Sequence, residues 1–501
     1  MVVHSPLGDI TPSQATLPDF LLTRGRQDLA GKPAIIDGPS GRALTYGQLA
    51  DAVERRAEAL RRRGIEQGDV LALSLANSPE FAVAYLGILS AGAAITPVSP
   101  LAPATDVARQ MADCGARGLV TMDEPVPSSL VEPEERPPVE AIRGGDLALI
   151  PYSSGTTGLP KGVVLCHRSL VVSLCQNAAA HRVGADDVVV AVLPLFHIFG
   201  LQMTLNLALR AGATVVTMPR FELDGFLHTV EQYRVTRAEL VPPILLALAR
   251  APAEADRKLS SLRVVTCGAA PLTPELERVC RDRLGCQLKQ GYGMTEFAGG
   301  THLVPDGAPS RPGSIGPPVP GVDCKVVDLS TGAQVGPGQP GELLIRTPAV
   351  MSGYLNNPEA TARIVDGEGW LRTGDIARFD EDGWFYVVDR VKDLIKYKGY
   401  PVAPAELEAI LLSHRAVADA AVVPSPHAES GEVPKAFVVL QGDASEDDLM
   451  AYVAERVAPY KRIRRLELVD SIPKSPSGKV LRRLLVERER ATRGQPVEAT
   501  G

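Results

Sequence analysis

The chain has little of what marks several common classes of protein. Aromatic residues make up 5% of its 501 residues, while hydrophobic residues at 45% and charged residues at 22% are ordinary for a globular protein. This composition excludes a mainly disordered chain, a collagen and a small disulfide scaffold. Basic charge is not in surplus, since 52 basic residues stand against 59 acidic ones and the net charge is −7. Nucleic-acid-binding proteins show the opposite balance, so we expect no nucleic-acid partner.

Zinc-binding, secreted and membrane-spanning classes also lack support. The seven cysteines form no Cys-X-X-Cys pair, which argues against zinc and thioredoxin-like sites and favours the reduced thiols of a cytoplasmic protein. The N-terminus shows no basic-then-apolar signal pattern. An uncharged stretch, 81–105, is rich in Ala, Gly, Ser and Pro. It predicts a buried helix over about 79–91 and a core strand over about 93–98, so we expect no membrane span.

Hydrophobic periodicity alternates between the helical and the extended pattern. Residues 43–64 predict a helix capped by Thr45. Short apolar runs and helix-like stretches then follow in turn, which indicates α/β layers with largely parallel sheets. The predicted strands are 70–75, 118–122, 147–152, 188–193, 214–218, 238–241 and 262–267, and the predicted helices are 168–180, 200–210, 223–234 and 274–284.

The pattern changes after about residue 310, where meander strands with glycine turns are predicted. From residue 404 onward helices and strands form a compact α+β pattern. We therefore predict an N-terminal domain over 1–389, a junction at 390–392 and a C-terminal domain over 393–501. The last part is basic, because 461–493 holds eleven basic and four acidic residues. Such a run predicts either a solvated helix face or a surface that handles an anion.

One segment carries the strongest chemical signal. Residues 152–162 read Tyr-Ser-Ser-Gly-Thr-Thr-Gly-Leu-Pro-Lys-Gly and lie between an apolar strand and a helix. Glycines let a backbone bend closely around an anion, hydroxyls can donate to phosphate oxygens, and Lys161 adds a positive charge. No Gly-Lys-Ser/Thr triplet closes the segment, so it is not a Walker A loop. A flexible surface loop is the alternative, and the particular order of residues argues against it.

The segment resembles the phosphate loop of the acyl-adenylate-forming superfamily, which includes acyl-CoA synthetases, luciferases and peptide-synthetase adenylation domains. Further motifs follow in the order of that family. They are 193–200 (Leu-Pro-Leu-Phe-His-Ile-Phe-Gly), 268–272 (Gly-Ala-Ala-Pro-Leu), 290–296 (Gln-Gly-Tyr-Gly-Met-Thr-Glu), 372–375 (Arg-Thr-Gly-Asp), 389–390 (Asp-Arg), 392–399 (Lys-Asp-Leu-Ile-Lys-Tyr-Lys-Gly) and 473–479 (Pro-Lys-Ser-Pro-Ser-Gly-Lys). The resemblance is greatest to enzymes like 4-coumarate–CoA ligase. It implies layered α/β subdomains with a small β-barrel-like subdomain, followed by a mobile α+β C-terminal domain.

The same resemblance implies a set of site residues. ATP or AMP binding falls to Ser153, Ser154, Gly155, Thr156, Thr157, Gly158, Lys161, Gly268, Ala269, Ala270, Gly291, Tyr292, Gly293, Met294, Thr295, Glu296, Asp375 and Arg390. The acyl pocket is assigned to His197, Phe199, Val241, Gly268, Gly293, Phe297, Ala298 and Gly299. Catalysis is assigned to Lys479, Lys396, His197 and Thr295, CoA binding to Lys398 and Gly399, the hinge to Lys392 and the metal to Glu296.

The implied chemistry is ATP-dependent ligation of an acid to CoA through an acyl-AMP. Two anions meet in the first step, so Lys479 would reach both the carboxylate and the α-phosphate. Glu296 would hold Mg²⁺, a cation that prefers oxygen ligands. Asp375 would accept the ribose hydroxyls. Rotation about Lys392 would then replace Lys479 by the segment of Lys396 for attack by the CoA thiol.

Some features depart from the pattern or leave choices open. Pro401 stands where many relatives have an amide, and the small residues 298–300 leave room along one pocket wall. Arg250, after an apolar helical run, is expected to be a solvated side chain or to lie at the pocket's edge. His197 argues against an amino-acid substrate, because peptide-synthetase domains carry Asp there. The acid is expected to be an aryl-propenoic or a medium-chain one.

Alternative functions remain open at this point. The acyl group could pass to the pantetheine of a carrier protein or to a more unusual nucleophile. A non-catalytic regulatory relative would lack Lys479, Glu296 or Asp375, and all three residues are present.

Overall fold

The structure is a computed structural model, and the residues it describes form four β-sheets with helices packed against them. Three of the sheets lie before residue 391 and the fourth lies after it, which confirms the predicted α/β architecture with a smaller α+β part. The residues that the structure describes are 1–11, 13–22, 27–127, 130, 141–153, 160–252, 255–270, 272, 274–309, 311–398, 400–427, 429–474 and 479–492.

The largest sheet has eight strands, and its six inner strands are parallel. One antiparallel strand closes each edge. In spatial order the strands are Gly299–Leu303, Gln287–Met294, Val264–Cys267, Arg237–Leu240, Val188–Ala191, Thr214–Thr217, Pro33–Asp37 and Ala43–Thr45. Parallel strands end at the same edge of a sheet. The segments that follow strands Val188–Ala191, Arg237–Leu240, Val264–Cys267 and Gln287–Met294 are therefore brought together there.

A second, seven-stranded sheet carries the phosphate-loop segment. Strand Lys161–Cys166 pairs antiparallel with Tyr152–Ser153 and with Leu147–Leu149. This pairing brings the two ends of the Gly/Ser/Thr segment together, while residues 154–159 lie outside the described residues. In spatial order the strands are Gly353–Tyr354, Lys161–Cys166, Leu147–Leu149, Ala94–Pro97, Val70–Leu73 and Leu119–Val120, with Tyr152–Ser153 beside the second.

The third sheet has four antiparallel strands and stands where a small barrel-like subdomain was predicted. Its strands are Asp323–Val327, Gly341–Arg346, Leu371–Phe379 and Phe385–Arg390. The last two pair so that Asp375 lies opposite Arg390. This register places the two predicted ribose-binding residues side by side.

Helices cover the sheets and agree with most of the predicted positions. Thr45 forms a capping box with Gln48 at the start of helix Tyr46–Arg62, as the sequence predicted. The uncharged stretch forms helix Pro79–Ser90 and strand Ala94–Pro97, as predicted. Helices before residue 391 are Leu17–Leu22, Tyr46–Arg62, Pro79–Ser90, Ala104–Cys114, His167–His181, Leu207–Ala211, Leu223–Tyr233, Pro242–Ala249, Ala255–Leu259, Pro274–Leu284 and Pro358–Ile364. Within the described ranges, every helix is too short or too polar to span a bilayer.

One predicted helix differs in its geometry. Residues Gly200–Asn206 form a π-helical segment before helix Leu207–Ala211 begins. Gln202 explains the deviation, because its amide donates to the carbonyl oxygens of Leu170 and Ala298 and its own oxygen accepts from Asn206. A buried polar side chain that anchors neighbouring segments favours such a wider turn, and π-helical turns are frequent at functional sites.

The C-terminal unit, residues 393–492 as far as they are described, contains the fourth sheet. The strands are Ile395–Tyr397, Tyr400–Val402, Val417–His427, Gly431–Leu440 and Arg465–Leu468, and the helices are Pro404–Leu412, Glu446–Ala454 and Arg482–Thr492. Its start at residue 393, like the hinge, stays a prediction.

Basic residues of the run 461–493 form ion pairs with acidic residues of the same unit. Lys461 contacts Glu406, Arg482 contacts Glu408 at 2.6 Å, and Lys474 contacts Asp419 at 2.6 Å. The two interpretations of the run, a solvated helix face or a surface that handles an anion, stay predictions.

Candidate active site

A cleft of about 590 Å³ opens at the edge where the parallel strands of the eight-stranded sheet end. The chain turns there after each of the strands Val188–Ala191, Val264–Cys267 and Gln287–Met294. Lys479, from the C-terminal unit, lies in the same wall. The lining residues are Asn177, His197, Ile198, Phe199, Met203, Thr266, Gly268, Ala269, Gly291, Tyr292, Gly293, Met294, Thr295, Gly299, Gly300, His302, Leu303 and Lys479.

Asp375 is the centre of a polar cluster beside the cleft. The Tyr292 hydroxyl donates to Asp375 Oδ2 at 2.5 Å, and Arg390 Nε lies 3.3 Å from Oδ1. Burial and the neighbouring Asp375 carboxylate raise the pKa of Tyr292 well above its ordinary value, so its hydroxyl keeps its proton. A buried carboxylate held on two sides is well placed to accept hydrogen bonds from a diol.

Glu296 follows Thr295, which lines the cleft. Its side chain is buried and accepts a hydrogen bond from the Tyr354 hydroxyl at 2.8 Å. The Lys161 ammonium lies over the Tyr354 ring, 5.1 Å from its centroid. Tyr354 thus contacts both the Glu296 carboxylate and the Lys161 ammonium. The sequence analysis did not single out this tyrosine.

The predicted phosphate loop is defined only at its two ends. Ser153 pairs with Lys161 across the hairpin, and its buried hydroxyl has no hydrogen-bond partner among the described residues. Such a hydroxyl fits an oxygen-rich ligand. Ser154, Gly155, Thr156, Thr157 and Gly158 lie outside the described residues.

Lys479 is half-buried in the wall of the cleft. Burial lowers the pKa of its ammonium, Arg390 and Lys392 lower it further, and Asp375 and Glu296 act in the opposite direction. The lysine is therefore close enough to both carboxylates to sense them. The motif residues 475–478 lie outside the described residues, but Lys474 and Val480 form a β-bridge that closes the loop beneath Lys479.

His197 is held in one tautomer in the segment after strand Val188–Ala191. The Phe199 N–H donates to His197 Nδ1 at 3.3 Å. Burial, with a smaller effect from Lys479, lowers the pKa of the imidazole to about 4, so the ring is neutral at physiological pH. A neutral ring that accepts at Nδ1 carries its proton on Nε2 and can donate from there.

Asn77 holds the segment that carries His197 in place, although none of the sequence motifs includes it. Its amide donates to the carbonyl oxygens of Ala191 and Leu193, and its oxygen accepts from the Leu195 N–H at 2.8 Å. The polar side chain in an otherwise apolar segment was the signal that could have found it.

Glycines bring the predicted pocket walls into close contact. A Cβ on Gly268 would lie 2.9 Å from the Phe199 ring, and one on Gly293 would lie 2.1 Å from the Gly299 carbonyl oxygen. Ala269, the next residue, adopts φ +68° at the turn. Val241 lines a neighbouring cavity of about 200 Å³ that also touches His197 and Phe199.

Two residues predicted to line the acyl pocket lie in the hydrophobic core instead. Phe297 and Ala298 are fully buried in the hydrophobic core and line neither cavity. The turn Thr295–Phe297 rotates their side chains inward, and Ala298 takes φ +54° before Gly299 returns the backbone to the cleft. Their assignment to the acyl pocket, which the resemblance implies, stays a prediction. Ala270 also lies outside both linings.

The cleft contains polar side chains that the sequence did not mark. Asn177, Thr266 and His302 line it, and all three are buried. Among the described residues Asn177 Oδ1 has no hydrogen-bond partner, whereas Thr266 lies opposite the buried Glu239, and its hydroxyl acts to lower the pKa of that carboxyl. Polar residues on the buried faces of helix His167–His181 and strand Val264–Cys267 were the available signal.

The residues predicted for the thiol step do not line the cleft. Lys396 and Lys398 are exposed on the hairpin of strands Ile395–Tyr397 and Tyr400–Val402, where Lys396 pairs with Pro401. Gly399 lies outside the described residues. Lys392 is exposed just before this hairpin, and burial of part of its side chain lowers its pKa.

Comparisons with known proteins agree with this arrangement. Residues 23–355 match the family described as AMP-binding enzyme, and residues 406–479 match the AMP-binding enzyme C-terminal domain. The chain is 42% identical to 4-coumarate–CoA ligase 3 of Arabidopsis thaliana, over 96% of this chain and 93% of that protein.

Solved structures are also similar to this chain over nearly its whole length. ATP-bound MatB from Rhodopseudomonas palustris superposes with a TM-score of 0.87 at 27% identity, over 96% of this chain and 100% of that one. An anthranilate CoA ligase in complex with anthranoyl-AMP gives a TM-score of 0.87 at 27% identity, over 96% and 99% of the two chains.

Proposed function

This chain belongs to the family of AMP-binding enzymes, and on that premise we propose that it ligates an aryl-propenoic acid bearing a ring hydroxyl to CoA. It is an acid–thiol ligase that consumes ATP and works through an acyl-adenylate. The similar proteins named above include CoA ligases, so the alternatives with a carrier protein or an unusual nucleophile are not favoured. The cytoplasmic location stays a prediction from the cysteine usage.

In the first step a carboxylate oxygen of the acid attacks the α-phosphorus of ATP, and the bond to the β-phosphate breaks as pyrophosphate leaves. Lys479 supplies positive charge where the two anions meet. Its position in the cleft wall, within electrostatic reach of Asp375 and Glu296, supports this role. Thr295, in the same wall, is placed to donate its hydroxyl to the α-phosphate.

The nucleotide is held by groups on either side of Lys479. Asp375 accepts the ribose hydroxyls, with Arg390 as its partner, and Tyr292 faces the base. Lys161 and the Ser153 hydroxyl serve the phosphates together with the loop 154–158. The buried Ser153 hydroxyl supports this assignment.

A magnesium ion bound by Glu296 and the phosphates would neutralise charge on the leaving pyrophosphate. The described residues contain no group of three or more potential metal ligands. This fits Mg²⁺ better than a caged metal, since Mg²⁺ usually takes one or two carboxylates and completes its shell with phosphates and water. Glu296 is the residue we assign to hold it.

His197 orients the acid rather than acting as a base. Because Nδ1 accepts from the Phe199 N–H, the Nε2 proton is available for an oxygen of the acid. The low pKa of about 4 keeps the ring in this donor state across the physiological range.

The acid class rests on one observation, a buried amide oxygen that is unpartnered among the described residues, beside the apolar surface of the cleft. Phe199, Met203 and Leu303 supply apolar surface for a ring, whereas Asn177 Oδ1 is buried and unsatisfied. A buried polar atom without a partner is costly, and a hydroxyl on the ring would satisfy it. A medium-chain acid would leave this oxygen unpaired.

The second step needs a different arrangement. The CoA thiol attacks the acyl carbon, AMP leaves and the thiol proton is released. Pyrophosphate must leave before the pantetheine arm enters, so we propose that the C-terminal unit rotates about Lys392. Lys396, Lys398 and Gly399 then face the cleft. The exposure of Lys396 and Lys398 in the present orientation supports such an exchange.

Acid-dependent exchange of labelled pyrophosphate into ATP tests the first step. We expect 4-coumarate to exceed both cinnamate and octanoate by at least about tenfold in kcat/KM, since a site built to hydrogen-bond a hydroxyl rejects analogues that lack it. In Asn177→Leu, which removes the unsatisfied oxygen at similar volume, the preference for 4-coumarate over cinnamate should shrink while cinnamate turnover is retained.

Thioester formation with free CoA tests the second step. If CoA yields no thioester with any of these acids, the ligase function is wrong. If octanoate is preferred, the proposed acid class is wrong and the ligase function stands.

A further inference from the structure

Arg250 joins the two parts of the molecule at a point remote from the predicted hinge. It follows helix Pro242–Ala249 of the N-terminal part, and its Nη2 donates to the carbonyl oxygen of Val417 at 3.2 Å. Val417 is the first residue of strand Val417–His427 in the C-terminal unit. The sequence predicts only that Arg250 is either solvated or at the edge of the pocket.

The backbone next to Arg250 is fixed from the N-terminal side. Arg283 Nη2 donates to the carbonyl oxygens of Ala251 and Pro252 at 2.7 and 2.6 Å, and its Nε lies 2.9 Å from an Asp256 carboxylate oxygen. Arg250 therefore projects from a held segment, so its guanidinium is a defined contact point for the C-terminal unit.

On the C-terminal side the contact continues to the loop of Lys479. Asp419 lies near enough to Arg250 to oppose the lowering of its pKa by burial. Asp419 Oδ2 lies 2.6 Å from the Lys474 ammonium, and Lys474 forms a β-bridge with Val480. Val480 is the neighbour of Lys479, so a series of ionic and backbone contacts links Arg250 and strand Val417–His427 to the lysine in the cleft.

We propose that Arg250 is a positioning residue for the adenylation step, which docks the C-terminal unit so that Lys479 enters the cleft. This inference rests on the proposed function. Adenylation needs the docked orientation, whereas thioester formation needs the unit to leave it. Loss of Arg250 should therefore slow the first half-reaction and spare the second.

The test compares Arg250→Ala with Arg257→Ala, which removes an exposed arginine from the adjacent helix Ala255–Leu259. Acid-dependent pyrophosphate exchange measures the first half-reaction, and thioester formation from added acyl-AMP and CoA measures the second. We expect Arg250→Ala to lower the exchange rate by about threefold to thirtyfold, the effect of one hydrogen bond from a charged group at a partly exposed site. The thioester rate should stay the same or rise, and Arg257→Ala should change neither.

Two further variants keep the test decisive. Arg250→Lys keeps the charge and should recover part of the exchange rate. Asp419→Asn should lower exchange in the same direction, and its effect should not add fully to that of Arg250→Ala, because the two residues belong to one series of contacts.

Equal losses in both half-reactions, or an unchanged exchange rate in Arg250→Ala, would overturn the positioning role. If the unmodified enzyme shows no acid-dependent exchange, the proposed function fails and this inference fails with it.

Discussion

At the scale of single residues, burial decides the protonation states that matter. His197, His167 and His302 are imidazoles whose pKa is lowered by burial, to about 4, about 4 and about 3. Each is neutral near pH 7 and can accept a hydrogen bond at one ring nitrogen. The sequence marked His197 through its motif, but it gave no reason to assign the other two a structural function.

His167 gives a pH prediction with a definite sign. Its Nδ1 accepts from the Leu17 N–H at 3.2 Å, and its pKa is about 4 instead of 6.5. Between pH 6.5 and 4 the unfolded chain binds a proton there and the folded chain does not. The free energy of unfolding therefore keeps the full contribution of His167 above pH 6.5. Between pH 6.5 and 4 this contribution is lost, by up to about 1.4 kcal/mol per pH unit.

The variant His167→Asn keeps an acceptor but does not titrate. Urea unfolding midpoints at several pH values between 7 and 4 should fall less steeply for this variant than for the unmodified chain. His228→Asn, at an exposed histidine, serves as the control and should follow the unmodified chain. Parallel pH profiles for His167→Asn and the unmodified chain would contradict the assignment.

At the scale of elements, the pairing of strands Gln287–Met294 and Gly299–Leu303 shapes the cleft. Their register sets Gly293 opposite Gly300 and Met294 opposite Gly299 across an irregular turn. The motif predicted these residues as a nucleotide loop. The structure adds that the two strands approach so closely at Gly293 that a side chain there would collide with the opposite strand.

Gly293→Ala should therefore disable the site without unfolding the chain. The added Cβ would meet the Gly299 carbonyl oxygen at 2.1 Å and push the hairpin apart. We expect pyrophosphate exchange to fall by about a hundredfold or more, since a displacement of about 1 Å costs that much.

The control is Gly184→Ala, because a Cβ there would meet nothing within 4 Å. It should retain its exchange rate, and circular dichroism should be unchanged in both variants. Full activity in Gly293→Ala would contradict the tight contact.

At the scale of the whole molecule, the two predicted sets of catalytic residues occupy different places. Lys479 lies in the cleft, while Lys396 lies on an exposed hairpin of the C-terminal unit. One orientation cannot bring both to the same acyl group if each acts directly. The motif order implied this alternation, and the observed exposure of Lys396 agrees with it.

Substituting the two lysines should separate the half-reactions. We expect Lys479→Ala to reduce pyrophosphate exchange by at least about a hundredfold, because one preorganised electrostatic contact commonly contributes that much. Thioester formation from added acyl-AMP should persist in that variant. Lys396→Ala should show the opposite pattern.

Lys258→Ala, on the surface helix Ala255–Leu259, provides the matched control and should affect neither half-reaction. Identical losses of both half-reactions in Lys479→Ala and Lys396→Ala would contradict the alternation.

Much of the architecture could be predicted because it depends on local patterns. The capped helix after Thr45, the uncharged helix Pro79–Ser90 and the parallel strands follow from periodicity and cap residues, which act over a few positions. The motifs with Lys479, Asp375, Glu296 and Tyr292 identified the chemistry through their resemblance to the acyl-adenylate-forming superfamily.

Tertiary structure decided what depends on the direction of a side chain and on distant partners. The motif could not show that Phe297 and Ala298 turn into the core, since a backbone turn of a few residues sets their direction. Nor could it reveal the unsatisfied oxygen of Asn177 or the contact of Arg250 with Val417. By itself the sequence determined the fold and the type of reaction. The shape of the acid pocket and the docking of the C-terminal unit arise only where segments far apart in the chain meet.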